Sequence, residues 1–88
     1  MEYVINVLST NSEHERNDYG FYNGKCYMYQ NEYYPCFSSR VVDESVKKYS
    51  SAQRAKQSAK SVINKCGLVK GYEIYELTDE GIQLIYRT

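Results

Sequence analysis

The residues best suited to chemistry in this chain are few, and the clearest of them is its single histidine, His14. His14 stands between Glu13 and Glu15, and two carboxylates beside an imidazole can raise its pKa and suit it to act as a general base. The surrounding stretch STNSEHERND is polar from end to end and predicts a loop, with no candidate nucleophile close in sequence. We therefore expect an exposed histidine here, and we predict that the protein is not an enzyme.

The cysteines are the second group with chemical potential. Cys26, Cys36 and Cys66 could build a Cys₃His zinc site only together with His14, but no two of them form a C-x-x-C pair and their spacings are wide. An odd number of cysteines without a secretory signal also argues against a disulfide framework. We predict three reduced, partly buried thiols, with neither a metal nor a cofactor.

Two further chemical signatures are weak. Asp79 and Glu80 are paired carboxylates, but they stand in a predicted turn, where acids are common for conformational reasons. The five glycines are scattered and cannot build a phosphate-binding loop. The pattern therefore favours binding over catalysis.

The first half of the chain predicts β-structure. Residues 2–8, EYVINVL, form a β-branched run typical of a buried strand. Asn23-Gly24 predicts a two-residue turn, since both positions of a type I′ turn need positive φ, and it would join hairpin arms at Tyr19–Tyr22 and Lys25–Gln30. The second arm alternates a cysteine and a methionine on one face with tyrosines on the other, so both faces are apolar or aromatic.

One helix is predicted over Ser50–Cys66. Ser50 is the candidate N-cap, Gln53 completes a capping box, and Gly67 suits the position after the helix. The apolar residues fall in one stripe at helical spacing: Ala52, Ala55, Ala59, Val62, Ile63 and Cys66. Because alanine permits close approach, we expect this helix to lie tight against a sheet.

The remaining elements complete an α+β fold. Tyr72–Leu77 and Ile82–Tyr86 read as a second hairpin, whereas Pro35 is expected to end the aromatic stretch. The segment between Pro35 and the helix is ambiguous: Val41-Val42 suits a short strand and Asp43–Lys48 one helical turn. We predict a single domain over residues 1–88, with one antiparallel sheet of about four to five strands and one main amphipathic helix on one face.

Tyrosine is the most unusual feature of the composition. The chain has eleven tyrosines and no tryptophan in 88 residues. Tyrosine is a good strand former, but it also provides a large, rigid surface that tolerates water and is common in interfaces. Clustered tyrosines on a two-faced hairpin exceed what one small core can hold, so we predict a protein-binding or homodimer surface at Tyr22, Tyr27, Tyr29, Tyr33 and Tyr34.

Charge is separated along the sequence even though the net charge is zero. Residues 46–70 carry seven basic side chains and no acid, whereas the segments on either side are net acidic. This basic stripe suggests a site for phosphates or for an acidic partner at Lys47, Lys48, Arg54, Lys56 and Lys60. The alternative is a solvated helix face whose lysines pair with neighbouring acids, and arginine, which base recognition favours, occurs only once in it.

The chain resembles many small orphan proteins of bacteriophages and mobile elements in the pattern EYVINVL … GFYNGKCYMY … YSSAQRAKQSAKSVINK … YEIYEL. Those proteins share a short strand, a Tyr-rich hairpin, an alanine-lined helix that opens with serine, and a closing strand. They include anti-CRISPR and other anti-defence inhibitors, which bind a host protein without catalysis. The resemblance stops before Thr78, assigns no functional residue, and implies a phage-encoded inhibitor of a host protein such as a CRISPR or other defence effector.

Two hypotheses about partners follow. The first is a small non-catalytic domain that binds a protein through the Tyr-rich hairpin, the acidic loop Ser12–Asp18 or the basic helix. The second is a nucleic-acid or nucleotide-binding module in which the basic stripe contacts phosphates and tyrosines stack on bases. No apolar run reaches the roughly 20 residues of a membrane span and the N-terminus lacks signal-peptide features, so we predict a cytoplasmic protein without a membrane partner.

Overall fold

The computed structural model describes residues 1–9, 18–38, 42–66 and 69–88. Within these ranges, five strands form one antiparallel sheet in the order β3-β2-β1-β4-β5. The strands and the helix between β3 and β4 have these bounds: β1 Glu2–Ser9, β2 Asp18–Tyr29, β3 Glu32–Ser38, α1 Ala52–Lys65, β4 Val69–Thr78 and β5 Gly81–Arg87. The predicted fold class is therefore confirmed.

The helix covers the centre of one sheet face. Ala55 and Ala59 are fully buried against β1 and β4, where Ile5 and Ile74 are also fully buried. Small side chains on the helix let its backbone approach the sheet closely, so that the large side chains of the strands fill the space between. Fully burying one such isoleucine or valine contributes about 1.5–3 kcal/mol to stability.

The helix begins one residue later than predicted. Ser51, not Ser50, is the N-cap, and its hydroxyl accepts a hydrogen bond from the Arg54 N–H at 3.1 Å. The capping box proposed from Ser50 and Gln53 is therefore wrong. At the other end the Cys66 N–H donates to the Val62 carbonyl at 2.7 Å, and the predicted role of Gly67 lies outside the described residues.

The predicted turn at Asn23-Gly24 is also wrong. These residues lie inside β2. Tyr22 pairs with Phe37 and Cys26 with Pro35, so the three residues 23–25 of β2 lie opposite a single residue of β3. This is a bulge, and Gly24 takes φ +93° there. Positive φ, which suggested a hairpin turn, serves here to bend a continuous strand.

The turn that joins β2 to β3 lies at Gln30 and Asn31. Their φ values of 52° and 69° suit the two central positions of a type I′ turn. The aromatic stretch thus continues past the predicted end at Pro35, which lies within β3 opposite Cys26. A proline is tolerated there because β3 is the edge strand of the sheet, where one row of N–H groups has no ladder partner.

A short segment, Val46–Tyr49, fills the gap that the bulge opens between β1 and β2. The Lys47 N–H donates to the Tyr22 carbonyl at 3.0 Å, and Tyr3 and Tyr49 exchange two backbone hydrogen bonds of 2.9 Å. A Cβ added to Gly24 would lie 3.3 Å from the Lys47 Cβ, so the bulge and this segment pass close to each other. Before this segment the Val46 N–H donates to the Asp43 carbonyl and closes a single turn. The helical turn that the sequence predicted over Asp43–Lys48 is not formed.

The sheet face opposite the helix carries a second, smaller apolar cluster. Val4, Phe21 and Val46 are buried there, with Tyr75 and Leu77 half-buried at its margin. The described part of the chain contains no helix long and apolar enough to cross a bilayer.

Candidate functional site

Beyond the bulge, β2 and β3 continue as a hairpin that carries most of the predicted tyrosines. In the described part of the chain the pairing of β1 with β2 ends at Phe21, so residues 26–35 pair only with each other. On the face away from the helix, Tyr27 and Tyr34 are cross-strand partners and their rings stack with centroids 5.5 Å apart and planes 23° apart. We call this two-stranded part of the sheet the aromatic hairpin.

The other face of the aromatic hairpin is also apolar. Met28 and Tyr33 are cross-strand partners there, and the Lys65 ammonium at the end of α1 lies 4.7 Å from the centroid of the Tyr33 ring. A cation over a ring face is attracted by the ring quadrupole, so Lys65 orients Tyr33 without covering it. The alternation of two kinds of apolar side chain that the sequence predicts along β2 is therefore present.

Exposure separates the predicted tyrosines. Tyr27 is 49% exposed, Met28 55% and Tyr33 37%. Tyr34 is partly buried, because its ring stacks on that of Tyr27. The structure describes the backbone of Tyr29, but its side chain lies outside the described set. The candidate surface is therefore centred on Tyr27, Met28 and Tyr33.

Tyr22 belongs to the core, not to this surface. Its ring is buried in the helix-side cluster, and its hydroxyl lies 3.7 Å from the Cys26 sulfur. Burial, followed by the contact with Cys26, raises the Tyr22 pKa well above its ordinary value. Burial likewise raises the pKa of Cys66 to about 12, so its thiol stays protonated and is a poor nucleophile.

A basic groove runs beside the N-terminal half of α1. It measures about 670 Å³. The lining side chains that the structure describes are basic or neutral: Lys47, Lys48, Tyr49, Ser50, Arg54, Gln57, Ser58 and Ser61. The Tyr49 hydroxyl and the Ser58 hydroxyl are hydrogen-bonded at 2.7 Å. Lys48 is held in place because its ammonium donates to the Asp43 and Val46 carbonyls at 2.8 and 3.1 Å.

The five predicted basic residues do not form one surface. Lys47, Lys48 and Arg54 line the basic groove, whereas Lys56 lies with its ammonium 4.2 Å from the Tyr86 ring centroid, beside β5. Lys60 is exposed and does not line the groove. The structure therefore divides the predicted stripe into a groove of three cations and two separate lysines.

The open sheet face contains a buried carboxylate that the sequence interpretation missed. Glu73 is 3% exposed and accepts hydrogen bonds from the Asn6 amide at 3.0 Å and the Tyr75 hydroxyl at 2.8 Å. Arg87 completes the cluster through its Nε, 2.7 Å from the second carboxylate oxygen, and through its terminal nitrogen. The signal in the sequence was weak, since Asn6 interrupts the apolar run of β1 and Glu73 is one of two acids in β4, and the register pairs Asn6 with Glu73 directly.

The electrostatics of this cluster favour the charged carboxylate. Burial raises the Glu73 pKa, but the hydrogen bonds from Asn6, Arg87 and Tyr75 outweigh burial and leave it below its ordinary value. The hydrogen bond to Glu73 and the negative charge of its carboxylate raise the Arg87 pKa. The cluster therefore joins β1, β4 and β5 by a charge-assisted network, a structural role that needs no ligand.

Other residues singled out in the sequence do not contribute to a described site. His14 and residues 12–17 of the predicted acidic loop lie outside the described residues. The sulfur atoms of Cys26 and Cys66 are 3.9 Å apart. Cys36 follows the β3 residue that pairs with Cys26, so alternation along the strand places it on the opposite sheet face. Among the described residues, no cluster of three or more histidine, cysteine, aspartate or glutamate side chains could hold a metal ion.

Comparison of the chain with protein-family models, with curated proteins and with solved structures finds no match. The candidate surfaces are therefore interpreted from their own geometry, exposure and charge.

The buried carboxylate gives a prediction about acid stability. The Glu73 pKa is lower in the folded state than the value of about 4.5 in the unfolded chain. The charged carboxylate therefore stabilises the fold fully above about pH 4.5, and this contribution is lost as the pH falls through the lowered pKa of the folded state. We expect Glu73→Gln to lower the free energy of unfolding by about 1–3 kcal/mol near neutral pH. The variant should also lose less stability than the wild type as the pH falls below about 5. Urea unfolding at a series of pH values measures both effects.

Glu76→Gln, on the other face of the same strand, is the matched control and should keep the acid-side slope. Equal slopes in the wild type and in Glu73→Gln would contradict the assigned role of the cluster.

Proposed function

We propose that the chain is a non-catalytic protein-binding domain that docks its partner on the aromatic hairpin. The observation that carries the proposal is the exposure of Tyr27, Met28 and Tyr33 on both faces of a ribbon that extends beyond the helix-covered sheet. Exposed large apolar side chains grouped in one place mark interaction sites more often than scattered ones do. The hairpin is therefore the part of the described surface best suited to bury area against a protein.

The chemistry of the hairpin suits a protein surface. Tyr27 is held by stacking on Tyr34 and Tyr33 by the Lys65 cation, so little rotamer entropy remains to be lost on binding. Methionine at position 28 adds a flexible, polarizable contact that adapts to the shape of the partner. Met28 lies beside Tyr33 on one face and Tyr27 lies on the other, and tyrosines are enriched among interface hot spots, where single truncations cost about 2 kcal/mol or more.

The role that the sequence resemblance implies is inhibition of a host protein, such as a CRISPR or other defence effector, after binding through this surface. Such an inhibitor needs no catalytic group and acts by covering a functional region of its target. The turn at the tip of the hairpin is polar, with Gln30 and Asn31 both exposed.

The proposal predicts that the double variant Tyr27→Ala, Tyr33→Ala keeps its fold and loses its partner. Both rings are substantially exposed, so we expect a small change in thermal stability but about a tenfold or larger loss of capture from bacterial host lysate. Pull-down with quantitative mass spectrometry measures capture, and far-ultraviolet circular dichroism checks the fold.

Gln53→Ala with Lys60→Ala is the control, because both side chains are exposed on α1 and lie outside the hairpin, the basic groove and β5. Proteins captured by the wild type and the control but not by the tyrosine variant support the proposal. Unfolding of the tyrosine variant would show that the rings are structural, and unchanged capture would place the binding surface elsewhere.

A second candidate function is favoured by the basic groove. Lys47, Lys48 and Arg54 line the groove together with Ser58 and Ser61 of the helix, and none of its described lining residues is acidic. Cations with hydroxyl donors suit phosphate oxygens. This arrangement supports binding of a nucleic acid or nucleotide, with the Tyr49 ring in the groove available to stack on a base.

This candidate predicts salt-dependent binding of a single-stranded oligonucleotide. Contacts from three cations should give a logarithmic salt slope of about −2, and Arg54→Glu should weaken binding by about tenfold at low salt. Lys60→Glu makes the same charge change on the exposed side of α1 and should have a much smaller effect. Fluorescence anisotropy that shows no binding at low salt, or equal effects of the two variants, would exclude the groove as a phosphate site.

A further inference from the structure

Strand β5 is exposed along its whole length at the edge of the sheet opposite the aromatic hairpin. All seven of its residues are exposed, and four are large and apolar: Ile82 at 44%, Leu84 at 43%, Ile85 at 41% and Tyr86 at 36%. In the described part of the chain β5 pairs only with β4. One row of its backbone groups therefore faces outward without a ladder partner.

This edge lacks most of the features that keep strands apart. Natural edge strands are protected by proline, by lysine, by inward-pointing charge or by a covering element. β5 contains no proline and no lysine, and its single charge, Arg87, is at the last position and is bound to Glu73. A bulge at Ile85, opposite the step from Ile74 to Tyr75, gives the edge some protection, since bulges also disrupt edge pairing. The four large apolar side chains nevertheless stay exposed along it, and an apolar edge of this kind favours the addition of another strand.

We propose that the occupant of this edge is the β5 strand of a second copy of this chain, paired antiparallel about a two-fold axis near Leu84. The proposal is independent of the function proposed for the hairpin. It rests on the exposed edge and on the distribution of charge around β5, which is acidic at one end and basic at the other.

The charges at the two ends of β5 are self-complementary only in the antiparallel orientation. Asp79 and Glu80 form the exposed turn before the strand. At the other end Lys56 lies over the Tyr86 ring, and the Arg87 side chain is 63% exposed although Glu73 balances part of its charge. Antiparallel pairing places the acidic turn of each copy beside the basic end of the other, twice. Parallel pairing would bring like charges together at both ends, which is unfavourable.

The apolar side chains support the same arrangement. Ile82 and Leu84 are cross-strand partners of Leu77 and Tyr75, so they lie on the open face and extend its apolar margin to the edge. A two-fold axis perpendicular to the sheet keeps the open faces of both copies on one side. The apolar margin of one copy then continues into that of the other and is partly removed from water.

The size of the contact sets its strength. One seven-residue strand covers far less surface than the roughly 800 Å² per partner of a standard interface. We therefore expect a reversible dimer with a dissociation constant on the order of tens of micromolar. Because β3 and β5 are opposite edges of the sheet, such a dimer presents two aromatic hairpins at its outer ends, and a target with two sites would be bound with avidity.

Sedimentation velocity of the whole chain over a wide concentration range tests the proposal. We expect a monomer at low and a dimer at high concentration, with weakening of about tenfold for Leu84→Lys and about fivefold for Glu80→Lys. Glu44→Lys, which makes the same charge change in the exposed turn before Val46, should leave the association unchanged. Hydrogen exchange should slow at β5 amides as the concentration rises.

Three outcomes would overturn the proposal. One is a monomer at every concentration, and another is a dimer that both β5 variants leave intact. The third is a dimer that is lost in the Tyr27→Ala, Tyr33→Ala variant, which would place the contact on the hairpin. If Leu84→Lys lowers the melting temperature sharply, Glu80→Lys and hydrogen exchange decide the result, since Glu80 lies in an exposed turn.

Discussion

The architecture depends on the point at which β2 leaves β1. After Tyr22 the strand bulges at Gly24, and Val46–Tyr49 enters the gap, where Lys47 donates to the Tyr22 carbonyl and Tyr49 exchanges two hydrogen bonds with Tyr3. These bonds satisfy backbone groups that the departing strand would otherwise leave unpaired in the interior. They also separate the chain into a helix-covered sheet and a hairpin that continues without cover.

A single helix determines what remains exposed. Its alanine stripe packs on β1 and β4 at the centre of the sheet, whereas it meets the edge strands β5 and β3 through Lys56 and Lys65, which leave large apolar side chains of both strands exposed. At one edge the aromatic hairpin exposes Tyr27, Met28 and Tyr33, and at the other β5 exposes four apolar side chains. Both surfaces that we propose for binding therefore have the same physical origin, which is a sheet wider than the helix that covers it.

Local periodicity could be predicted from the sequence because it depends on neighbours along the chain, whereas the N-cap was placed one residue too early, at Ser50 instead of Ser51. The alanine stripe gave the helix and its buried face, and alternation along β2 gave a strand with two apolar faces, Tyr27 on one side and Met28 on the other. Asn23-Gly24 was misread because positive φ suits a bulge as well as a turn. The choice between them is made by the distant Lys47, which packs against Gly24. Glu73 was missed because its partners come from other strands and depend on the register.

The most direct test of this account is a set of nuclear Overhauser contacts between backbone protons in the folded chain. The account predicts cross-strand contacts between Tyr27 and Tyr34 and between Tyr3 and Tyr49, together with slow exchange of the Lys47 amide. Contacts between Tyr22 and Lys25, as in a hairpin that turns at Asn23-Gly24, would contradict it. In that case the bulge, the inserted segment and the exposed aromatic hairpin would all have to be abandoned.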